Sequence, residues 1–156
     1  MEEAGFDQVC RDLKEELRFF RFLGDADLDV LRNYLKCWQA RAGETLWREG
    51  DADSSVVFVV RGRLEEKKNT EFEDKQVIVG VYGPGAIMGE FGLLDGQPRA
   101  FTAAALEDSG LLVLERDAFD RLTLEHPEVG VRLLKGMLYA VTQRLKKSFD
   151  RLAAIF

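Results

Sequence analysis

The chain has 156 residues, which suits one compact domain with a true core and leaves little room for a second. Apolar residues make up 46% and charged ones 32%, and no apolar run approaches the length of a bilayer span, so a transmembrane helix is excluded. The formal net charge of −6 argues against nucleic-acid binding by the domain as a whole, which needs a basic face, yet leaves room for an anion received by one buried Arg and a set of backbone amides.

The N-terminus, Met1-Glu2-Glu3-Ala4, lacks the basic and then apolar order of a signal peptide, so a cytoplasmic location is expected. Phe6, Val9, Leu13, Leu17 and Phe20 recur at helical spacing and predict a first helix ended by Gly24. Asp25 reads as the N-cap of a second, with the stripe Leu28, Leu31, Leu35 and Trp38. Cys10 and Cys37 fall in these helix-like patterns, far apart, and read as free core thiols of a reducing compartment, neither a disulfide nor metal ligands.

Beyond Trp38 the period shortens. Thr45-Leu46-Trp47, Val56 to Val60, Val77-Ile78-Val79 and Leu111 to Leu114 are β-rich, separated by turns at Gly43, Gly50-Asp51, Gly62, Gly80, Gly83-Pro84-Gly85 and Gly110. Such punctuation predicts a small β-barrel or jelly roll. Lys67 to Lys75 is polar and charged and reads as an exposed hairpin loop. Trp38 and Trp47 read as core residues, and His126, before Pro127, as a residue of a helix start. After Glu115 the helical period returns, and Leu134, Leu138, Val141, Leu145, Ser148, Leu152 and Ile155 follow heptad spacing. One face of that helix is expected on the barrel and the other on a second copy; a single core-packing helix is the plain alternative. The expected class is therefore α+β, mainly β: N-terminal helices over 1–37, a barrel over 38–115 and C-terminal helices over 116–156.

The segment from Gly83 to Thr102 carries the chemistry. It reads as a strand end, about one helical turn from Glu90 to Leu94, a second turn and a new strand. Glycine at 89 permits close backbone approach, and the amides opening a short helix suit an anion. Glu90 offers acceptor oxygens to a hydroxyl, and Arg99, set by Pro98, offers a planar fork to phosphate. Together they suit a sugar phosphate. The sequence holds no G-x-S-x-G, no paired His ligands and no P-loop lysine, so no catalytic residues are assigned and the chain reads as a binding domain, not an enzyme.

Gly89-Glu90, Leu93-Leu94 and Pro98-Arg99-Ala100, at these separations, resemble the phosphate-binding cassette of cyclic nucleotide-binding domains, the family of the catabolite activator and the protein kinase A regulatory subunit. Gly50-Asp51 and Ser55 to Gly62 are similar to that family's barrel strands, and the likeness spans roughly residues 19–152. The resemblance implies that Glu90 accepts from a ribose 2′-hydroxyl and Arg99 pairs with a cyclic phosphate. The amides of Gly89 and Ala100 would hold the phosphate oxygens, and Phe91 and Phe101 would border the pocket. Ala100, where cyclic-GMP-selective relatives often carry a hydroxyl, implies cyclic AMP as ligand with cyclic GMP the alternative. Ser148 and Phe149 stand where the final helix of the catabolite activator touches the base. Two residues depart from the pattern: Met88 replaces an aromatic, and Phe101 replaces a small residue, its ring either crowding the pocket or turning into the core. The implied function is a sensor that couples ligand to the final helix and through it to a homodimer or an effector. The alternative is a retained fold used only for dimerisation or interaction.

Overall fold

A computed structural model describes residues 21–156. The helix expected over Phe6 to Phe20, and Cys10 with it, lies outside the described residues. Eight strands follow helix α1 (Asp25–Leu31): β1 (Leu35–Ala40), β2 (Thr45–Trp47), β3 (Val56–Arg61), β4 (Leu64–Asn69), β5 (Gln76–Tyr82), β6 (Ile87–Met88), β7 (Thr102–Ala105) and β8 (Ser109–Leu114). Helices α2 (Arg116–Glu125) and α3 (Pro127–Ala153) close the chain. The strands form two antiparallel four-stranded sheets, ordered β1-β8-β3-β6 and β2-β7-β4-β5, the jelly roll expected of the glycine-punctuated middle.

The β-branched run of β3 is buried on both faces, which is why it does not alternate in polarity. Val57 and Val59 face Trp47, Leu64 and Ala103 between the sheets. Val56 and Phe58 face the other way, onto Leu31, Leu122, Leu133 and Met137 of the helices. The first sheet thus separates two cores, one inside the barrel and one beneath the helices.

Three expectations are corrected. Leu35 and Trp38 continue the apolar stripe of α1 but lie in β1, with Cys37 half-buried between them. Pairing of Leu35–Ala40 with β8 outcompetes helix extension, since each residue gains a ladder partner. Gly24, not Asp25, caps α1, its N–H donating to Asp27 Oδ2 at 3.0 Å. Lys67 to Asn69 are strand rather than loop, paired with Gln76 to Ile78.

Asp27 also ties α1 to α3. Arg132 donates to its two oxygens at 2.8 and 2.7 Å. Those hydrogen bonds outweigh desolvation and hold the Asp27 carboxyl below its ordinary value of 3.8. A depressed folded value means that the pair's stabilisation is complete above the unfolded value and is lost as pH falls through the folded one. Asp27→Ala is expected to cost about 1–2 kcal/mol at neutral pH and progressively less in acid, read from urea unfolding at several pH values.

Candidate functional site

The turn between β6 and β7 builds the site. Gly89 has φ +79°, the left-handed region, and caps the 3₁₀ turn Glu90–Gly92. A Cβ there would overlap the Arg99 guanidinium and come within 2.8 Å of Ser55 O. Arg99 is fixed from the opposite side by the Gly50-Asp51 turn: Gly50 N donates to Arg99 O at 2.8 Å and Arg99 N to Asp51 O at 2.9 Å.

Arg99 is buried, at 5% exposure. Its Nη1 donates to Ser55 O at 2.7 Å and Gly89 O at 3.3 Å. Its Nη2 donates to Ser55 Oγ at 2.8 Å and Asp53 Oδ2 at 2.5 Å. The guanidinium carbon lies 3.7 Å from the centroid of the Trp47 ring, so Trp47 is a floor of the site as well as a core residue. Burial acts to raise the Asp53 carboxyl, but the bond and charge of Arg99, with the bonds from Ser55, hold it below the usual range.

Glu90 is bound by Arg144 from α3, and Arg144 Nη1 also donates to Ile87 O at 3.1 Å. Arg144 stacks over the Tyr82 ring, 5.3 Å to its centroid, and the Tyr82 hydroxyl donates to Glu66 Oε2 at 3.1 Å. Among the described residues, the buried side-chain atoms without a hydrogen-bond partner are Arg99 Nε and Glu90 Oε2. Both belong to the cassette.

Two spaces adjoin these groups. A small cavity of about 10 Å³, room for one water, lies against Trp47, Glu66, Gly89, Arg99, Ala100 and Phe101. A groove of about 420 Å³ opens between α3 and the Val81–Ile87 segment, walled by Tyr82, Arg144 and Lys147. The bonded pairs Glu66–Tyr82 and Glu90–Arg144 stand between them.

Of the residues singled out from sequence, Gly89, Phe91, Arg99, Ala100 and Phe101 line the small cavity, and Glu90 sits in the same turn. Phe101 does not enter the core. It is half-buried and packs edge-on against Phe91, with centroids 5.6 Å apart. Ser148 is exposed on α3, its hydroxyl donating to Arg144 O at 3.1 Å, and the structure does not bring it to the cavity. Phe149 is exposed as well. Asp53, Ser55, Trp47, Glu66 and Arg144 were missed as site residues. Only Arg144 had a sequence signal, as a cation one helical turn before Ser148.

The cyclic nucleotide-binding domain family model matches residues 38–126. Among curated proteins, lysophospholipase NTE1 of Saccharomyces cerevisiae is 34% identical over 103 residues, 60% of this chain but 6% of that protein. Lysophospholipase nte1 of Aspergillus fumigatus is 29% identical over 72% of this chain and 7% of its own length. This chain therefore spans under a tenth of such relatives. Among solved structures, a cyclic nucleotide-binding domain from Methylobacillus flagellatus superposes with TM-score 0.81 at 25% identity, covering 98% of this chain and 85% of that one. The regulatory domain of Toxoplasma gondii PKA with cAMP gives TM-score 0.62 at 29% identity over 78% of this chain and 45% of that one. Thermus thermophilus catabolite activator protein shares the fold, with TM-score 0.71 at 23% identity, over 88% of this chain and 62% of that one. A barrel with a buried cassette arginine, a matching family model and these neighbours agree: the chain belongs to the cyclic nucleotide-binding domain family.

Proposed function

We propose that this domain senses cyclic AMP and converts its binding into movement of α3. The observation that carries the reading is the pair of orphaned buried atoms, Arg99 Nε and Glu90 Oε2. A buried polar atom without a partner costs about 1–3 kcal/mol, so a ligand that pairs both recovers that cost on binding. A cyclic phosphate supplies acceptors for Arg99, and a ribose 2′-hydroxyl supplies the donor for Glu90. Asp53 then stands in for the phosphate in the ligand-free state, and Arg144 for the sugar.

The mechanism follows from Arg144. It belongs to α3 and holds Glu90, so a ribose that takes Glu90 competes with the helix for the same carboxylate. Releasing Arg144 opens the partition and joins the small cavity to the groove, giving the base a place to lie. Ligand stabilises the arrangement with α3 displaced because only that arrangement has room for it. The readout surface is the outer face of α3, where Leu138, Leu145, Phe149 and Leu152 are exposed. A second copy of the chain, or an effector protein, is the proposed partner on that face.

Calorimetry and a thermal-shift titration with cyclic AMP test the reading. At about 100-fold its dissociation constant the ligand is expected to stabilise the fold by about 2.7 kcal/mol. Amide exchange along Tyr139 to Ser148 is expected to change with it. The competing reading is a fold kept only for interaction, supported by the closed cavity and by the Asp53 carboxylate already matched to Arg99. No thermal shift with any cyclic nucleotide, together with self-association through α3, would establish that reading instead.

A further inference from the structure

Glu66 is an acid placed inside the barrel wall, 5% exposed, in β4 opposite Ala103 of β7 and Gly80 of β5. The β4–β5 register slips directly after it, from Glu66↔Gly80 to Lys67↔Ile78, and such an irregularity re-aims side chains. Gly80 makes room for its partner, because a Cβ there would overlap the Tyr82 hydroxyl that bonds Glu66. Glu66 lines the same small cavity as Arg99 and Ala100. Tyr82 engages Oε2. Burying a carboxyl in a barrel wall is costly, and neither the ladder nor the core needs it.

We propose that Glu66 is the residue that reads the purine of the bound nucleotide, and that its protonation state decides which purine is preferred. The proposal rests on the sensor reading. With the phosphate on Arg99 and the ribose 2′-hydroxyl on Glu90, the base leaves the sugar at the neighbouring carbon. It therefore starts beside Glu90, where the partition of Glu66 and Tyr82 stands. An ionised carboxylate only accepts, and matches the two donors on the guanine edge, N1–H and the 2-amino group. A protonated carboxyl both donates and accepts, and matches adenine, which offers an amino donor beside a ring-nitrogen acceptor, as an amide side chain does.

The groups facing Glu66 come from three further elements: Tyr82 from β5, Glu90 from the cassette turn and Arg144 from α3. Desolvation raises the Glu66 carboxyl first, the Tyr82 bond and Arg144 charge oppose it, Glu90 adds to it, and the net direction is upward. A raised value keeps the protonated, adenine-matching form to higher pH than an ordinary glutamate would. The cyclic AMP over cyclic GMP preference should accordingly fall as pH rises through the Glu66 titration.

Affinities of both nucleotides for the full chain, measured by calorimetry between about pH 5 and pH 8, test this. The wild-type preference for cyclic AMP is expected to fall roughly tenfold across the series. E66Q, an amide with the hydrogen-bonding pattern of the protonated acid, is expected to hold the preference at its acid value throughout. A preference that pH does not move, or one that E66Q leaves as pH-dependent as before, overturns the Glu66 role while the sensor stands. Absence of binding by either nucleotide at every pH overturns the sensor reading and this one with it. The wild-type series decides the matter even should E66Q fold poorly.

Discussion

Arg99→Ala is expected to weaken cyclic AMP binding by about 2–5 kcal/mol, a loss of at least thirtyfold, with a smaller loss of fold stability. The two expectations have different causes. Bound phosphate would lose its bidentate cation, and three of the groups left around that position, Ser55 O, Gly89 O and Asp53, are acceptors. Those acceptors repel an anion once the guanidinium is gone. Stability changes less because the partner acid is half-exposed, at 52%, and water replaces its lost bond. Arg99→Lys should recover only part of the loss, since an ammonium cannot span two phosphate oxygens or stack on Trp47. Calorimetry against urea unfolding of the same variants separates the effects. Equal affinity of Arg99→Ala and wild type would remove the phosphate role of Arg99.

Phe58→Ala is expected to destabilise the fold by about 3–5 kcal/mol, measured by urea unfolding. Phe58 is wholly buried at the centre of β3, opposite Leu112 on one side and Ile87 on the other. Its ring belongs to the core that seats Leu133 and Met137 of α3 on the first sheet. The lost volume lies between two rigid layers that cannot collapse without moving the helix, so the upper part of the range is expected. Ile87, its neighbour, also receives Arg144 through its carbonyl. The same variant should therefore loosen the contact through which ligand is proposed to reach α3. A change below about 1 kcal/mol would mean that the helices do not share a core with the outer face of the first sheet.

The cassette was legible in the sequence for a local reason. A left-handed turn needs Gly89, the turn that follows places Glu90, and Pro98 sets Arg99 within about ten residues, so neighbouring chemistry encodes neighbouring geometry. The β-branched strands β3 and β8 were legible because burial on both faces leaves a continuous apolar run. The end of strand β4 was hidden because Lys67, Lys68 and Asn69 read as part of a solvated loop. Ion pairs such as Glu65–Lys67 at 2.8 Å make those charges compatible with a ladder. Strand β7, largely alanine, carries little β preference of its own, and its pairing with β2 and β4 makes it a strand.

The sequence by itself determined the class of fold and the cassette, because each rests on a short-range pattern of glycine, proline and period. Tertiary structure alone decided where β1 begins, which face of α3 is buried, and which groups hold Arg99 and Glu90 before any ligand arrives. Asp53 lies 46 residues from Arg99 along the chain, and Arg144 lies 54 from Glu90. Contacts across such separations leave no periodic trace, since only closure of the barrel and docking of the last helix bring the partners within reach of one another.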